Sequence, residues 1–229
     1  QTIIPVQNGG VYNTHFLSYG LGFFLSDVKG YKQASHTGGL PGNVTLVTLI
    51  PELELGIIVL TNGQEGGAFQ AVGNAIKDSY LGVTVPDRVQ QYAGNRKRAV
   101  AEAQQLTDSV WKEIARVQKN QARRPDFSPY LGTYRDPWFG DVQVTLKNGK
   151  PWFQSKRSPK LNGELFSYKG STFVVRWSDR SLDADAFVSF TLDTEGRASG
   201  MTMKAVSPLT DFSYDFHDLE FKRVAGMNP

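Results

Sequence analysis

Short apolar runs separated by turn-forming residues dominate the first third of the chain. The runs extend from Leu17 to Ser26, Tyr31 to Ser35, Val44 to Ile50 and Gly56 to Thr61. Runs of this length, broken by Gly, Pro, Asn and Asp, are typical of β-strands joined by tight turns. The pattern predicts an antiparallel meander.

A covering helix is predicted after these strands. Phe69, Val72, Ile76 and Tyr80 recur at three or four residues, which is the spacing of one helical face. The preceding run from Ile57 to Leu60 is apolar without alternation, which is typical of a strand covered on both faces. We therefore expect a helix over residues 68–80 to cover one face of the sheet.

The pattern changes over residues 86–124. Val100, Leu106, Val110, Ile114 and Val117 recur within a stretch rich in Ala, Gln, Lys and Arg, which predicts a long amphipathic helix. We interpret its basic clusters, residues 96–98 and 123–124, as solvated helix faces rather than an anion site. Residues 123–125, Arg-Arg-Pro, are expected to end the helix and begin a new domain.

The last hundred residues are predicted to be β-structure throughout. Alternation is clear at Val142, Val144 and Leu146, and Asn148-Gly149 is a hairpin turn signal. Eight strands favour closure into a barrel, whose interior is either filled by side chains or holds one ligand. The candidate strands are residues 130–135, 140–147, 151–155, 163–168, 172–177, 186–192, 198–204 and 214–223.

Composition narrows the function classes. The chain of 229 residues has 25 basic and 22 acidic residues, a net charge of +3 spread over most of its length, which does not suggest nucleic acid as a partner. It has no cysteine, so disulfides and thiolate chemistry are excluded, and no apolar run long enough for a membrane span. The chain begins at Gln1 without a signal-like segment, and we expect a processed or truncated start.

The strongest candidate chemistry is the segment His36-Thr37-Gly38-Gly39. The segment lies after a predicted strand and before the turn Leu40-Pro41-Gly42. It brings together an imidazole, a hydroxyl and the backbone N–H groups of residues without side chains, and these groups could form an anion or oxyanion site. Composition alone favours the alternative interpretation, a surface strand end followed by a glycine turn.

The surrounding segments carry a family resemblance. Tyr19-Gly-Leu-Gly-Phe-Phe, then Ser35-His36-Thr37-Gly38-Gly39, then Leu55-Gly-Ile-Ile-Val-Leu-Thr-Asn-Gly63 resemble, in order and spacing, the last sheet strands of the serine β-lactamase and penicillin-binding-protein superfamily, in its class C-like esterase and peptidase branch. Tyr130 to Asp141 and Met201 to Asp215 resemble the lipocalin-like C-terminal domain that follows some of these hydrolases.

The resemblance implies a role for each residue of the motif. His36 and Thr37 would line the cleft and hydrogen-bond the substrate or leaving group, and Gly38 would let the strand pass close to the substrate. The N–H of Gly39 would supply half of the oxyanion hole. The substrate would be a small molecule or peptide carrying an ester, amide or peptide bond, and no cofactor or metal is implied.

The family nucleophile is expected in a Ser-x-x-Lys motif, with Tyr-x-Asn after it, and both precede the His-Thr-Gly strand. Two strings fit Ser-x-x-Lys, at Ser26 and Ser109, but the first falls in a predicted turn and the second inside the predicted linker helix. Asn13 directly follows Tyr12, so these two residues do not have the spacing of the Tyr-x-Asn motif. We therefore expect this chain to supply the His-Thr-Gly strand but to lack the nucleophile, and to be inactive alone.

Other side chains are predicted to be structural. His15 and His217 lack a partner set at metal-ligand spacing, and Asp183 with Asp185 makes a weak calcium signal. The aromatic residues of the barrel either line its mouth or fill its interior, and we expect the second; they are Trp138, Phe139, Trp152, Phe153 and Trp177.

The expected fold class is α+β: an antiparallel sheet with a covering helix, a partial β-lactamase-like fold, then a long linker helix and an eight-stranded lipocalin-like barrel. The expected domains are residues 1–85, 86–125 and 126–229. The resemblance implies a periplasmic or secreted parent protein. A sheet without its N-terminal strand and helical partner predicts a homo-oligomer or an N-terminal partner chain. The alternatives left open are a non-catalytic binding barrel and an oligomerisation domain.

Overall fold

A computed structural model describes residues 3–40, 42–120 and 125–225, which form an antiparallel sheet, two helices and a closed antiparallel barrel. The predicted α+β fold class is confirmed. Two compact units divide the chain: the sheet unit, residues 1–98, and the barrel unit, residues 99–229. Pro41 of the predicted glycine turn and the Arg123-Arg124 cluster lie outside the described residues.

The sheet has six strands in sequence order. Two-residue turns with positive φ connect β2 to β3 at Leu21-Gly22 (φ 52° and 82°) and β3 to β4 at Lys29-Gly30 (φ 53° and 85°), the geometry that matches the twist of a hairpin. The strands are β1 Ile4–Pro5, β2 Phe16–Gly20, β3 Phe23–Val28, β4 Tyr31–Leu40, β5 Asn43–Ile50 and β6 Leu55–Leu60.

Two predictions for the sheet are wrong in detail. The apolar run from Leu17 to Ser26 is two strands, because the turn at Leu21-Gly22 interrupts it. Strand β6 is covered on one face only: Ile57 is 3% exposed, whereas Ile58 is 67% and Leu60 is 75% exposed.

Helix α1, Gly66–Tyr80, covers the sheet with a different face from the one predicted. Phe69 is buried, but Val72, Ile76 and Tyr80 are exposed. The helix approaches the sheet at Gly73, where an added Cβ would lie 2.4 Å from Leu46 Cδ2. A small residue therefore sets the buried face, and hydrophobic spacing alone pointed elsewhere.

Helix α2, Arg88–Asn120, begins in the sheet unit and continues into the barrel unit. Its C-terminal part packs on the barrel, where Val110 and Ile114 are buried with Val174 and Val206, and Trp111 meets Phe166 edge-on. No helix within residues 3–40, 42–120 and 125–225 is long and apolar enough to cross a bilayer.

Eight antiparallel strands close the barrel, with β14 paired to β7. Its last strand is shorter than predicted, because two 3-10 turns occupy residues 212–214 and 216–218. Asn148-Gly149 forms the predicted hairpin turn, with φ of 53° and 75°. The strands are β7 Gly132–Asp136, β8 Gly140–Lys147, β9 Lys150–Ser155, β10 Asn162–Lys169, β11 Thr172–Trp177, β12 Ala186–Leu192, β13 Ala198–Ala205 and β14 Glu220–Arg223.

The barrel interior is filled by its own side chains. Phe153 and Trp177 meet edge-on with ring centroids 5.4 Å apart, and the indole N–H of Trp177 donates to the carbonyl of Ala184. Arg223 donates to the carbonyls of Pro129 and Leu131, which ties the segment before the first strand of the barrel to the last strand. The expectation that the aromatic residues fill the interior holds for Phe153 and Trp177 but is wrong for Trp138, which is 62% exposed.

Candidate active-site strand

Strand β4 is longer than predicted and carries the whole motif. His36, Thr37, Gly38 and Gly39 lie within the strand rather than in a turn after it, since β4 pairs with β5 as far as Leu40. Pairing with β3 stops earlier, at Phe24 opposite Ser35. Within the described part of the sheet unit, the β3-side edge of residues 36–40 therefore has no strand partner.

The register fixes which backbone groups lie on that open edge. The N–H of Val44 donates to Thr61 Oγ1, and the N–H of Thr61 donates to the carbonyl of Val44, so the polar groups of Val44 point toward β6. Gly39 is the partner of Val44 on β4. Val44 and Gly39 therefore form a non-hydrogen-bonded pair, in which the N–H and C=O groups of each residue point away from the other strand. Gly39, and Thr37 two residues before it, thus direct their N–H groups to the open edge of β4.

The two glycines of the motif have different surroundings. A Cβ on Gly38 would lie 2.6 Å from Thr45 Oγ1, so the neighbouring strand limits the side chain there. A Cβ on Gly39 would meet only Val44 Cγ1, at 4.0 Å. A side chain at Gly38 would therefore require Thr45 to move, whereas one at Gly39 would fit without a clash.

Two aromatic side chains that sequence reasoning missed surround the imidazole of His36. The hydroxyl oxygen of Tyr19 lies 3.3 Å from His36 Nε2. The ring of Phe24 stacks on the imidazole at a centroid distance of 5.8 Å and an interplanar angle of 18°. Tyr19 and Phe24 are opposite each other across the β2–β3 hairpin, and a two-residue turn at Leu21-Gly22 was the signal that could have paired them.

A polar network lies under the sheet on the helix side. The ammonium of Lys77 donates to Gln33 Oε1 at 3.1 Å and lies 4.2 Å from the centre of the Tyr12 ring. Burial lowers the pKa of Lys77 to about 8, against an opposing effect of the Asp78 carboxylate.

Asp78 joins the N-terminal segment to both helices. It accepts hydrogen bonds from Tyr12 at 2.6 Å and from Arg88 at 2.7 Å. Burial raises the pKa of Asp78, but the hydrogen bonds from Arg88 and Tyr12 outweigh it and hold that pKa below its usual value. This ion pair is buried, with side chains 11% and 7% exposed for Arg88 and Asp78.

Neither serine of the two Ser-x-x-Lys strings stands at the start of a helix. Ser26 is buried in β3, not in the turn that we predicted, and its oxygen accepts from Gln33 Nε2 at 3.3 Å. Ser109 lies in the middle of α2 and donates to the carbonyl of Leu106 at 2.7 Å. Tyr12 is engaged with Asp78 rather than with either serine.

The remaining polar candidates are paired or exposed. His15 Nδ1 lies 2.6 Å from Asp27 Oδ2, a pair that joins the start of β2 to β3. Asp185 binds Arg180. Among the described residues, Asp215, His217 and Asp218 lie close enough together to ligate one ion, but the last two are exposed.

The C-terminal half of the chain matches a known family. Residues 117–223 match DUF3471, a domain of unknown function found at the C-terminus of β-lactamase-like proteins. The match begins near the end of α2 and covers the barrel from β7 to β14. No curated protein matches the sequence.

Solved structures give a weaker likeness. SurE matches at 14% identity with a TM-score of 0.36, over 90% of this chain and 37% of that protein. The octameric penicillin-binding protein homologue from Pyrococcus abyssi matches at 12% identity with a TM-score of 0.30, over 95% of this chain and 39% of that protein. Scores in this range do not establish a shared fold. The chain spans less than two fifths of the length of these proteins.

Proposed function

We infer that this chain supplies one wall of the active site of a serine hydrolase that acts on ester, amide or peptide bonds. In this proposal the N–H of Gly39 is one of two oxyanion-hole donors, and Thr37 and His36 hydrogen-bond the substrate. The catalytic serine and its base come from residues outside this sequence.

The observation that carries the proposal is the open edge of β4. Two outward N–H groups, at Thr37 and Gly39, lie on an edge that no described strand of the sheet unit occupies. Such an edge can take an extended backbone or orient a carbonyl oxygen by main-chain hydrogen bonds. An imidazole lies on the same segment, and the DUF3471 match over residues 117–223 is in keeping with a β-lactamase-like context.

The position of the serines supports an external nucleophile. Ser26 is hydrogen-bonded to the Gln33 amide and Ser109 to the carbonyl of Leu106, so among the described residues neither serine is hydrogen-bonded to a side chain that could act as its base. Because the barrel interior is filled by aromatic and aliphatic side chains, we do not propose the barrel as a ligand container. We propose it as an accessory domain of the hydrolase, in a periplasmic or secreted protein.

The upstream reading frame is the first test of this proposal. An extension before Gln1 that contains Ser-x-x-Lys followed by Tyr-x-Asn is expected. A stop codon and a genuine start codon directly before Gln1 would contradict the proposal. A fluorophosphonate probe should label the extended protein at that new serine and should leave the 229-residue chain unlabelled.

Substitution of Gly39 then tests the oxyanion donor in the extended protein. Gly39→Pro removes the N–H, and loss of one such donor is expected to lower kcat about a hundredfold or more. Gly39→Ala keeps the N–H and fits beside Val44, so it is the matched control and should retain activity. Equal activity of the two folded variants would rule out the assigned role of Gly39.

A further inference from the structure

The imidazole of His36 has a defined environment on two sides. Tyr19 places its hydroxyl oxygen 3.3 Å from Nε2, and Phe24 lies almost parallel to the ring with an interplanar angle of 18°. Tyr19 and Phe24 themselves meet edge-on at 4.9 Å. Both are held by the β2–β3 hairpin, so they approach His36 from a neighbouring element rather than from β4.

The chemistry of the two groups decides the direction of the hydrogen bond. A neutral imidazole has one N–H donor and one nitrogen acceptor, and a phenol has an acidic O–H. The lone pair of the imidazole acceptor nitrogen is localised in the ring plane, whereas the phenol oxygen shares its electrons with its ring and accepts weakly. A phenol beside Nε2 is therefore a better donor to this nitrogen than an acceptor from it.

We propose that Tyr19 is a positioning residue that donates its O–H to Nε2 of His36 and so keeps the proton of the neutral imidazole on Nδ1. Phe24 restrains the plane of the ring by stacking. No proton moves in this arrangement, and among the described residues no other titratable side chain forms a hydrogen bond or an ion pair with His36.

This assignment deepens the proposed function and rests on it for its consequence. With Nε2 occupied, His36 offers a neutral N–H donor from Nδ1 and is not a general base through Nε2. The group that it recognises on the substrate is then an oxygen acceptor, a carbonyl or a carboxylate, rather than an N–H or O–H donor. Loss of the Tyr19 hydroxyl would release Nε2 and remove that preference.

The tautomer can be measured in the 229-residue chain without any substrate. The chain has three histidines, so nitrogen NMR of the chain labelled with ¹⁵N-histidine gives three imidazole pairs, and His36→Gln assigns one of them. At a pH where the imidazole is neutral, we expect the N–H of His36 to be on Nδ1. In Tyr19→Phe the ratio of the two tautomers should shift about fivefold toward Nε2–H, the change that a net neutral hydrogen bond gives.

Two features make the outcome decisive. Tyr31→Phe is the matched control, because it removes a hydroxyl at an exposed position of β4 that is not hydrogen-bonded to His36, and it should leave the ratio unchanged. A proton on Nε2 in the unsubstituted chain overturns the proposal without any variant, as does an unchanged ratio in a folded Tyr19→Phe chain. Because no substrate is used, the tautomer measurement is independent of the tests of the proposed function. The probe labelling and the Gly39 variants can contradict the proposed function while the tautomer of His36 is still found as proposed.

Discussion

The sheet unit and the barrel unit bury their apolar surface in different ways. In the barrel, Tyr134, Phe153 and Trp177 are at most 1% exposed, and the strands close on themselves. In the sheet, Ile58 and Leu60 are 67% and 75% exposed, and residues 36–40 have an open edge within the described residues. Both units are antiparallel, so closure rather than strand type makes the difference.

The contrast extends to the polar groups. The barrel uses Arg223 to bind carbonyls at its seam, whereas the sheet places an ion pair and a lysine beneath it, at Asp78, Arg88 and Lys77. A closed barrel is complete with its own side chains. The sheet keeps an apolar face and an edge available to further chain, and the proposed active site lies on that edge.

The largest expected effect is in the barrel. Phe153→Ala removes a fully buried ring that meets Trp177 edge-on, and it should lower the free energy of unfolding by about 3–5 kcal/mol. All four tryptophans lie in the barrel unit, so urea denaturation followed by tryptophan fluorescence reports this loss. Leu192→Ala, at a 42% exposed position of β12, is the control. A loss under about 1 kcal/mol would mean that the interior is not closely packed.

A similar loss is expected in the sheet unit, from a polar cause. Arg88→Ala leaves the Asp78 carboxylate buried with its ion partner removed, which should cost about 3 kcal/mol. Amide hydrogen exchange over α1 and β4 is the appropriate measurement, since the sheet unit has no tryptophan. Arg116→Ala removes a guanidinium that is 65% exposed and should leave exchange unchanged. Unchanged exchange in Arg88→Ala as well would show that the ion pair does not stabilise the sheet.

Lys77 makes the stability of the sheet unit depend on pH. Its pKa is about 8 in the fold and 10.5 in an unfolded chain, so the unfolded state binds more protons between these values and stability rises with pH. The gain from pH 7 to pH 10 should reach about 2 kcal/mol. Burial raises the pKa of Tyr12 above its usual 10, so ionisation of Tyr12 lowers the stability only above about pH 10. Hydrogen exchange, corrected for its intrinsic pH dependence, should show the rise in the parent chain and a flat profile in Lys77→Met.

The smallest expected effect distinguishes the two glycines of the motif. Gly38→Ala directs a methyl group at Thr45 Oγ1 and should destabilise the sheet by about 1 kcal/mol, whereas Gly39→Ala should change stability by less than about 0.5 kcal/mol. Denaturation followed by NMR of β4 amides compares the two variants. Equal losses would mean that Thr45 does not limit the space for a side chain at Gly38.

Local patterns predicted much of the fold. Alternation at Val142 and Val144, the Asn148-Gly149 turn and the count of eight strands predicted the closed barrel that is found. The extents of both helices were predicted accurately, but the buried face of α1 was not. Gly73 and Lys77 lie toward the sheet, where Val72 and Ile76 were expected. Spacing gives the period of a helix, but the close packing of the Leu46 side chain against Gly73 determines which face is buried.

The candidate site was predicted only in part. The sequence indicated His36, Thr37, Gly38 and Gly39 as a unit, and their roles stay predictions. Tyr19 and Phe24 were not singled out, because their contact with His36 joins separate strands of the sheet. Likewise, Tyr12 and Asp78 are 66 residues apart, and no local pattern brings them together.

The sequence by itself determined most of the strands, the two helices, the barrel and the glycine-rich motif, because turn chemistry and side-chain period act over a few residues. Only the tertiary structure decided that β4 continues through the motif, that β3 ends before it, and that the Tyr19 hydroxyl lies beside His36. Strand register decides these features, because it fixes which backbone groups are paired and which are left open.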